Sequence, residues 1–227
     1  MPESVLVVIT ETDTTGAVAA PGLEAIGLGL ELARGQGGDW VALVASAAPG
    51  PASNEAAERG AARVYSAELS GETPAGDQIL AALVDVAARE RIDAVVVNRG
   101  THVLDVAPRA AARLGGGCIM GVTEVRREGP ELRAVASIYG GAARGVYRLT
   151  AAGAAVLSPA PGAAEAPERR ADREAPVAAL TLTAVPNAVR VIEPLREPEG
   201  PRLEDAAVVV SGGRGIKKAE NYALVQE

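Results

Sequence analysis

Two stretches of this 227-residue chain carry residue types that could do chemistry. The first is "SGGRGIKK", residues 211–218, where glycines flank Arg214 after a run of valines. Glycines let backbone amides approach a phosphate closely, and a guanidinium adds a charge-assisted fork. Lys217 and Lys218, the only lysines, do not complete a P-loop spacing, and the glycines do not match the dinucleotide fingerprint. Taken alone, the stretch reads as an ordinary strand-to-helix turn that uses glycine for positive φ.

The second stretch is "NRGTHVLDVAPRAAARL", residues 98–114. It follows an apolar run, where a doubly wound sheet keeps its functional loops. His102 invites a catalytic reading, but no Ser or Cys elbow accompanies it, so it is read as a loop histidine with a local hydrogen bond. Arg109 and Arg113 are four apart on one helix face, which suits a solvated or interface surface better than an anion site. "ETDTTG", residues 11–16, also follows a strand but lacks a glycine-rich signature, so no ligand is expected there. Cys118 and His102 are the only cysteine and histidine. They exclude an intrachain disulfide and leave too few ligands for a zinc cluster. The sequence therefore predicts no catalytic residue and no metal site.

The elements that hold these stretches follow from apolar patterning. The chain is 48% hydrophobic yet has no Phe and one Trp. Such an aliphatic core suits a parallel sheet flanked by helices. "SVLVVIT" (4–10), "DWVALVAS" (39–46), "ARVYSA" (62–67) and "DAVVVN" (93–98) read as strands. Between them lie a helix from near Pro21 to near Gly35, a short helix at 54–60 capped by Asn54, and a helix at 76–90. In that last helix Ile79, Leu80, Leu83, Val84 and Ala87 share a face. Asp105 is expected to cap a helix that carries Pro108 in its first turn.

This alternation predicts an α/β fold, a doubly wound and mostly parallel sheet. Four short strands follow, at "CIMGVTEVRRE", "ELRAVASIYGG", "ARGVYRLTA" and "AAVLSPA", read as an added antiparallel edge. "YGGAARG" between two of them reads as a turn. Residues 160–176 read as an exposed loop or linker, "VAALTLTAV" and "AVRVIEPL" as further strands, and "REPEGPR" as a second exposed connection. "AAVVV" then forms a strand leading into the Arg214 turn.

The net charge of −7 argues against nucleic-acid binding, and no apolar run is long enough to span a bilayer. The protein is therefore read as soluble; the N-terminus enters a strand without a signal-like segment, and with a single cysteine a cytoplasmic, prokaryotic setting is expected.

Two segments together resemble the α subunit of electron transfer flavoproteins. They are "DVAPRAAARLGGGCIMGVTEVRREGPELRAVASIYGGAARG" and "AAVVVSGGRGIKKAENY". The first is similar to the family's "APR-AARL" helix, strand and "YGG" turn, the second to its "VVSGGRG" turn with a Glu-Asn pair. The resemblance implies a Rossmann-like N-terminal α/β domain over residues 1–200, followed by an incomplete second α/β domain, the start of the FAD domain, over 201–227. It implies FAD as cofactor, contacted through Arg214. It also implies a β-subunit partner, flavin dehydrogenases such as acyl-CoA dehydrogenases as donors, and a quinone oxidoreductase as acceptor. The role is electron carriage, as in fatty-acid β-oxidation, not catalysis. The family's AMP belongs to the β subunit and is not placed here. The family's other flavin-domain motifs have no counterpart, so the resemblance implies a truncated chain, with a frayed last helix and FAD held weakly or not at all. Fold order alone leaves one alternative, a stand-alone adenine-nucleotide-binding domain of universal-stress type.

Overall fold

Val5 to Ile9 are fully buried, and their side chains alternate between two hydrophobic clusters on opposite faces of a sheet. A strand buried on both faces needs helices above and below it, and this chain supplies them. A computed structural model describes residues 4–71, 75–128, 131–150, 152–182, 192 and 208–226. They divide into two units, 1–192 and 193–227.

In the first unit the order is β1 (Ser4–Ile9), α1 (Ala20–Gln36), β2 (Trp40–Ser46), α2 (Gly50–Glu58), β3 (Arg63–Glu68), α3 (Ala75–Arg89), β4 (Ile92–Val97) and α4 (Val103–Leu114). Then come β5 (Cys118–Glu128), β6 (Glu131–Ile138), β7 (Ala143–Leu149), β8 (Ala155–Pro159) and β9 (Val177–Leu180). They form one nine-stranded sheet in the order β7-β6-β5-β8-β4-β1-β2-β3-β9. Val5, Val7 and Ile9 pack with α1 and α2. Leu6 and Val8 pack with α3 and α4 on the other face. The sheet is doubly wound, with its switch point between β1 and β4.

The sheet is mostly parallel with antiparallel strands at one edge. That edge is β5-β6-β7, whose pairings are antiparallel. β6 has the alternation of a strand solvated on one face: Leu132, Ala134 and Ala136 are buried, Arg133 and Ser137 exposed. β8 does not belong to the edge. It inserts between β4 and β5, parallel to both. "AVLSP" carries no charge and is buried throughout, which suits an interior position.

Helix starts also correct the sequence reading. α2 begins at Gly50 with Pro51 in its first turn, so Asn54 lies inside the helix and caps nothing. Proline is well tolerated there because the first N–H groups have no intrahelical partner. α1 runs past Gly35 and ends on Gly37 in the left-handed conformation. α4 begins two residues before Asp105, with His102 at the cap. The His102 carbonyl accepts from the Asp105 and Val106 amides, and Pro108 falls in the helix interior. On α3, Val84 and Ala87 are only half-buried, while Ala82 and Val86 are buried beside Ile79 and Leu83.

Residues 161–176 have no regular structure, but they are a strap and not a free linker. They lead from β8 to β9 at the far edge of the sheet. Arg59 Nη1 donates to the Pro167 carbonyl at 2.6 Å, and the Arg170 amide donates to the Glu58 carbonyl at 3.0 Å. The strand read at "AVRVIEPL", apart from Ile192, which is exposed and not in a strand, residues 183–185 of "VAALTLTAV" and the connection "REPEGPR" lie outside the described residues.

In the second unit Val208 to Val210 are exposed and not in a strand. A strand needs a hydrogen-bonded neighbour, and the described residues of this unit offer none. Short 3₁₀ turns follow at Arg214–Ile216 and Ala219–Tyr222, then α5 (Ala223–Gln226), a single helical turn.

Candidate functional site

The Arg214 turn is built by close packing on one side and open space on the other. The Ile216 side chain lies where a Cβ on Gly212 would sit, its Cδ1 at 2.0 Å, so a side chain there would have to displace it. Gly213 and Gly215 have nothing within 4 Å of such a position. The Ile216 amide closes the turn on the Gly213 carbonyl at 3.0 Å, and Asn221 Nδ2 donates to the Ile216 carbonyl at 2.9 Å. Arg214 is exposed and has no ion pair or side-chain hydrogen bond among the described residues. A free guanidinium beside an open backbone fits one contact to an anionic group. It does not form the enclosing, largely apolar walls that hold most of a flavin's surface.

The second place to look is the crevice between the carboxyl ends of β1 and β4, where open α/β sheets bind ligands. Here the chain's own polar side chains tie the two flanking loops together. Asn98, 1% exposed, accepts from the Thr10 amide at 2.8 Å and from Thr10 Oγ1 at 3.1 Å. Its Nδ2 donates to the Arg99 carbonyl at 2.6 Å. Glu11 Oε1 accepts from the Thr101 amide at 2.8 Å. Gly100 has φ +138°, and a Cβ there would meet Glu11 Oε1 at 2.0 Å. Arg99 forks onto Glu24 Oε2 at 2.7 and 3.1 Å, and Glu24 Oε1 accepts from the Gly162 amide at 3.0 Å. The loop after β1 is tightened by Asp13, whose Oδ1 accepts from Thr15 Oγ1 at 2.6 Å and the Thr15 and Ala17 amides at 2.8 and 3.0 Å. Those bonds, that from the Thr15 hydroxyl first, hold the exposed Asp13 carboxyl below the usual carboxylate range. The donors and acceptors that would read a nucleotide are spent on joining the two loops.

The remaining candidates separate. His102 is half-exposed at the start of α4, and its ring has no hydrogen bond among the described residues. The expected local bond runs through its carbonyl. Arg109 bridges Asp105 at 2.9 Å and Asp77 at 2.6 Å, tying α4 to α3. Asp105 thus serves an ion pair and not a cap. Arg113 has no such partner among the described residues. Burial pushes the Cys118 thiol up, which keeps it protonated and weakly nucleophilic at neutral pH. No group of three or more His, Cys, Asp or Glu among the described residues could hold a metal ion. No helix among them is long and apolar enough to cross a membrane.

Sequence reading missed the crevice network. Asn98 was visible as a polar residue closing an apolar run, but its partner Thr10 is 88 residues away.

Comparison with known proteins bears on what such a unit belongs to. The electron transfer flavoprotein domain family matches residues 6–185. An "Electron transfer flavoprotein subunit alpha" of Mycobacterium leprae (strain TN) is 33% identical over 180 residues, covering 74% of this chain and 52% of that protein. This chain thus spans about half the length of the curated relative it matches. The matched span runs from Leu6 within β1 to beyond β9 and takes in the covering helices. With an α/β sheet of the expected order and a match of that extent, the chain belongs to the electron transfer flavoprotein family, on its α-subunit side.

Proposed function

We propose that the chain acts as the α subunit of a heterodimeric electron transfer flavoprotein, with residues 1–200 as scaffold and subunit interface and residues 201–227 opening the FAD domain. The observation that carries the scaffold reading is the crevice between β1 and β4. Asn98 and Glu11 tie together the loops that flank it, so these polar side chains at the switch point are already partnered within the protein. The same pairing argues against a stand-alone adenine-nucleotide domain. This pairing supports an electron-carrying cofactor held elsewhere.

Arg214 is the residue we assign to FAD. Its free guanidinium and the open backbone at Gly213 and Gly215 suit a contact to an anionic part of the cofactor. FAD, when bound, supplies the electron-accepting and electron-donating chemistry, and the protein contributes binding, orientation and charge. Arg214 contributes positive charge, which favours the more negative, reduced form of whatever it faces. The β subunit is the partner, flavin dehydrogenases such as acyl-CoA dehydrogenases are the donors, and a quinone oxidoreductase is the acceptor. We place the complex in a prokaryotic cytoplasm.

Arg214→Ala in the FAD-loaded heterodimer tests the assignment. The variant retains less flavin after gel filtration and has a lower flavin reduction potential than the parent. Unchanged retention together with an unchanged potential removes Arg214 from the site.

A further inference from the structure

A cleft of about 470 Å³ lies on the opposite end of the sheet from the crevice between β1 and β4. Its walls are the end of α1 (Leu30, Arg34), the start of β2 (Trp40), the end of α2 (Arg59, Gly60) and the strap (Pro167, Glu168, Arg170, Arg173). Four arginines therefore line one concave space in a chain of net charge −7.

Most described arginines of this unit are already paired. Arg63, Arg89, Arg99, Arg109, Arg127 and Arg144 each face a carboxylate. Arg59 is held by Glu55 at 2.7 Å. Arg34, Arg170 and Arg173 are not: none has an ion pair or side-chain hydrogen bond among the described residues. Among the described residues, Arg113 on α4 is the other arginine of the unit in that condition, so three of the four unpaired ones line this cleft. Glu168 on the lining and Glu31, which attracts Arg34 from within α1, offset part of the charge. Arg34 also complements the carboxyl end of α1, which explains one arginine but not three.

The cleft is preformed. Arg59 reaches across it to the Pro167 carbonyl, and the Arg170 and Arg173 backbones form a turn closed by a 3.1 Å hydrogen bond. Gly60, at φ +99°, leaves room for Arg173, whose Nη1 would lie 3.0 Å from a Cβ at that position. Arg34 approaches from α1, and Arg170 and Arg173 from the strap. An occupant must accept hydrogen bonds on more than one side, which suits tetrahedral phosphate better than a planar carboxylate.

We propose that this cleft binds a small oligophosphate or the phosphate tail of a nucleotide. Trp40, the only tryptophan, lines the cleft and reports on it. The test titrates the 227-residue chain with pyrophosphate, ADP, adenosine and citrate, read by calorimetry and Trp40 fluorescence. Pyrophosphate binds saturably at one site, and Arg170→Gln with Arg173→Gln weakens it at least about tenfold, with an unchanged melting temperature without ligand. Arg113→Gln leaves binding as it is. ADP binding as pyrophosphate does, with adenosine silent, assigns recognition to phosphate in either source; pyrophosphate binding alone restricts it to free oligophosphate. No saturation by about 10 mM pyrophosphate overturns the proposal. So does equal binding by the double variant, by adenosine or by citrate. The outcome is independent of the electron-transfer role, because no residue of the Arg214 turn takes part.

Discussion

Asn98 Oδ1 accepts both the backbone amide and the hydroxyl of Thr10, at 2.8 and 3.1 Å, and so joins the end of β4 to the end of β1. The bond lies at the place where folds of this kind bind ligands, and it gives Asn98 a partner within the chain. Asn98→Ala leaves the Thr10 amide and the Arg99 carbonyl without these partners in a partly buried setting. The expected loss is about 1–3 kcal/mol, read as a lower urea midpoint at an unchanged slope. A loss under about 0.5 kcal/mol means water replaces the side chain readily and the closure is weak.

Gly100→Ala attacks the same closure from the backbone. Its φ of +138° and the Glu11 carboxylate at the Cβ position both oppose a side chain. The variant should lose about 1–3 kcal/mol. Glu11→Ala added to Gly100→Ala should recover the steric part and leave the conformational part. Thermal melts of Gly100→Ala, Glu11→Ala and the double variant separate the two.

Glu55 is 4% exposed, and its two oxygens serve different elements. Oε2 accepts from the Val18 amide at 2.9 Å, and Oε1 takes the Arg59 fork. Glu55→Ala strands Arg59 and frees the loop before α1. It should cost about 3–5 kcal/mol, as for other buried pairs broken on one side. A double-mutant cycle with Arg59→Ala checks this: the double variant should be less destabilised than the two single losses summed.

The order of the first eight elements could be read from apolar runs alternating with helical patterns. Burial on both faces leaves the same uninterrupted apolar signature in β1, β2 and β4. β8 escaped because its place between β4 and β5 is a tertiary choice. Its uncharged, fully buried "AVLSP" beside the charged "ELRAVASI" and "ARGVYRL" was the available hint. Pro51 likewise marked the start of α2 better than Asn54 did. Val208 to Val210 have strand composition, yet β propensity expresses a fit to neighbours, and the described residues place none beside them. The crevice network and the arginine cleft join residues far apart in the chain, and no local pattern announces such pairs.

The loop after β1 should respond to acid. The Thr15 hydroxyl and amide hold the Asp13 carboxylate below its usual range, which is near 3.9. A depressed folded value means the contribution is fully present above the unfolded value and is lost as pH falls through the folded one. The Thr15 amide resonance should therefore move with a midpoint below about 3.9, and Asp13→Asn should abolish that step. A midpoint at or above that value contradicts the hydrogen-bonded loop.

The central claim is that this sheet serves as the α side of a two-subunit flavoprotein. Co-expression of the chain with the electron transfer flavoprotein β subunit of the same genome tests it most directly, with the product weighed by light scattering after gel filtration. The account predicts a one-to-one complex that survives the column. The chain eluting alone, beside a folded β subunit, would contradict it.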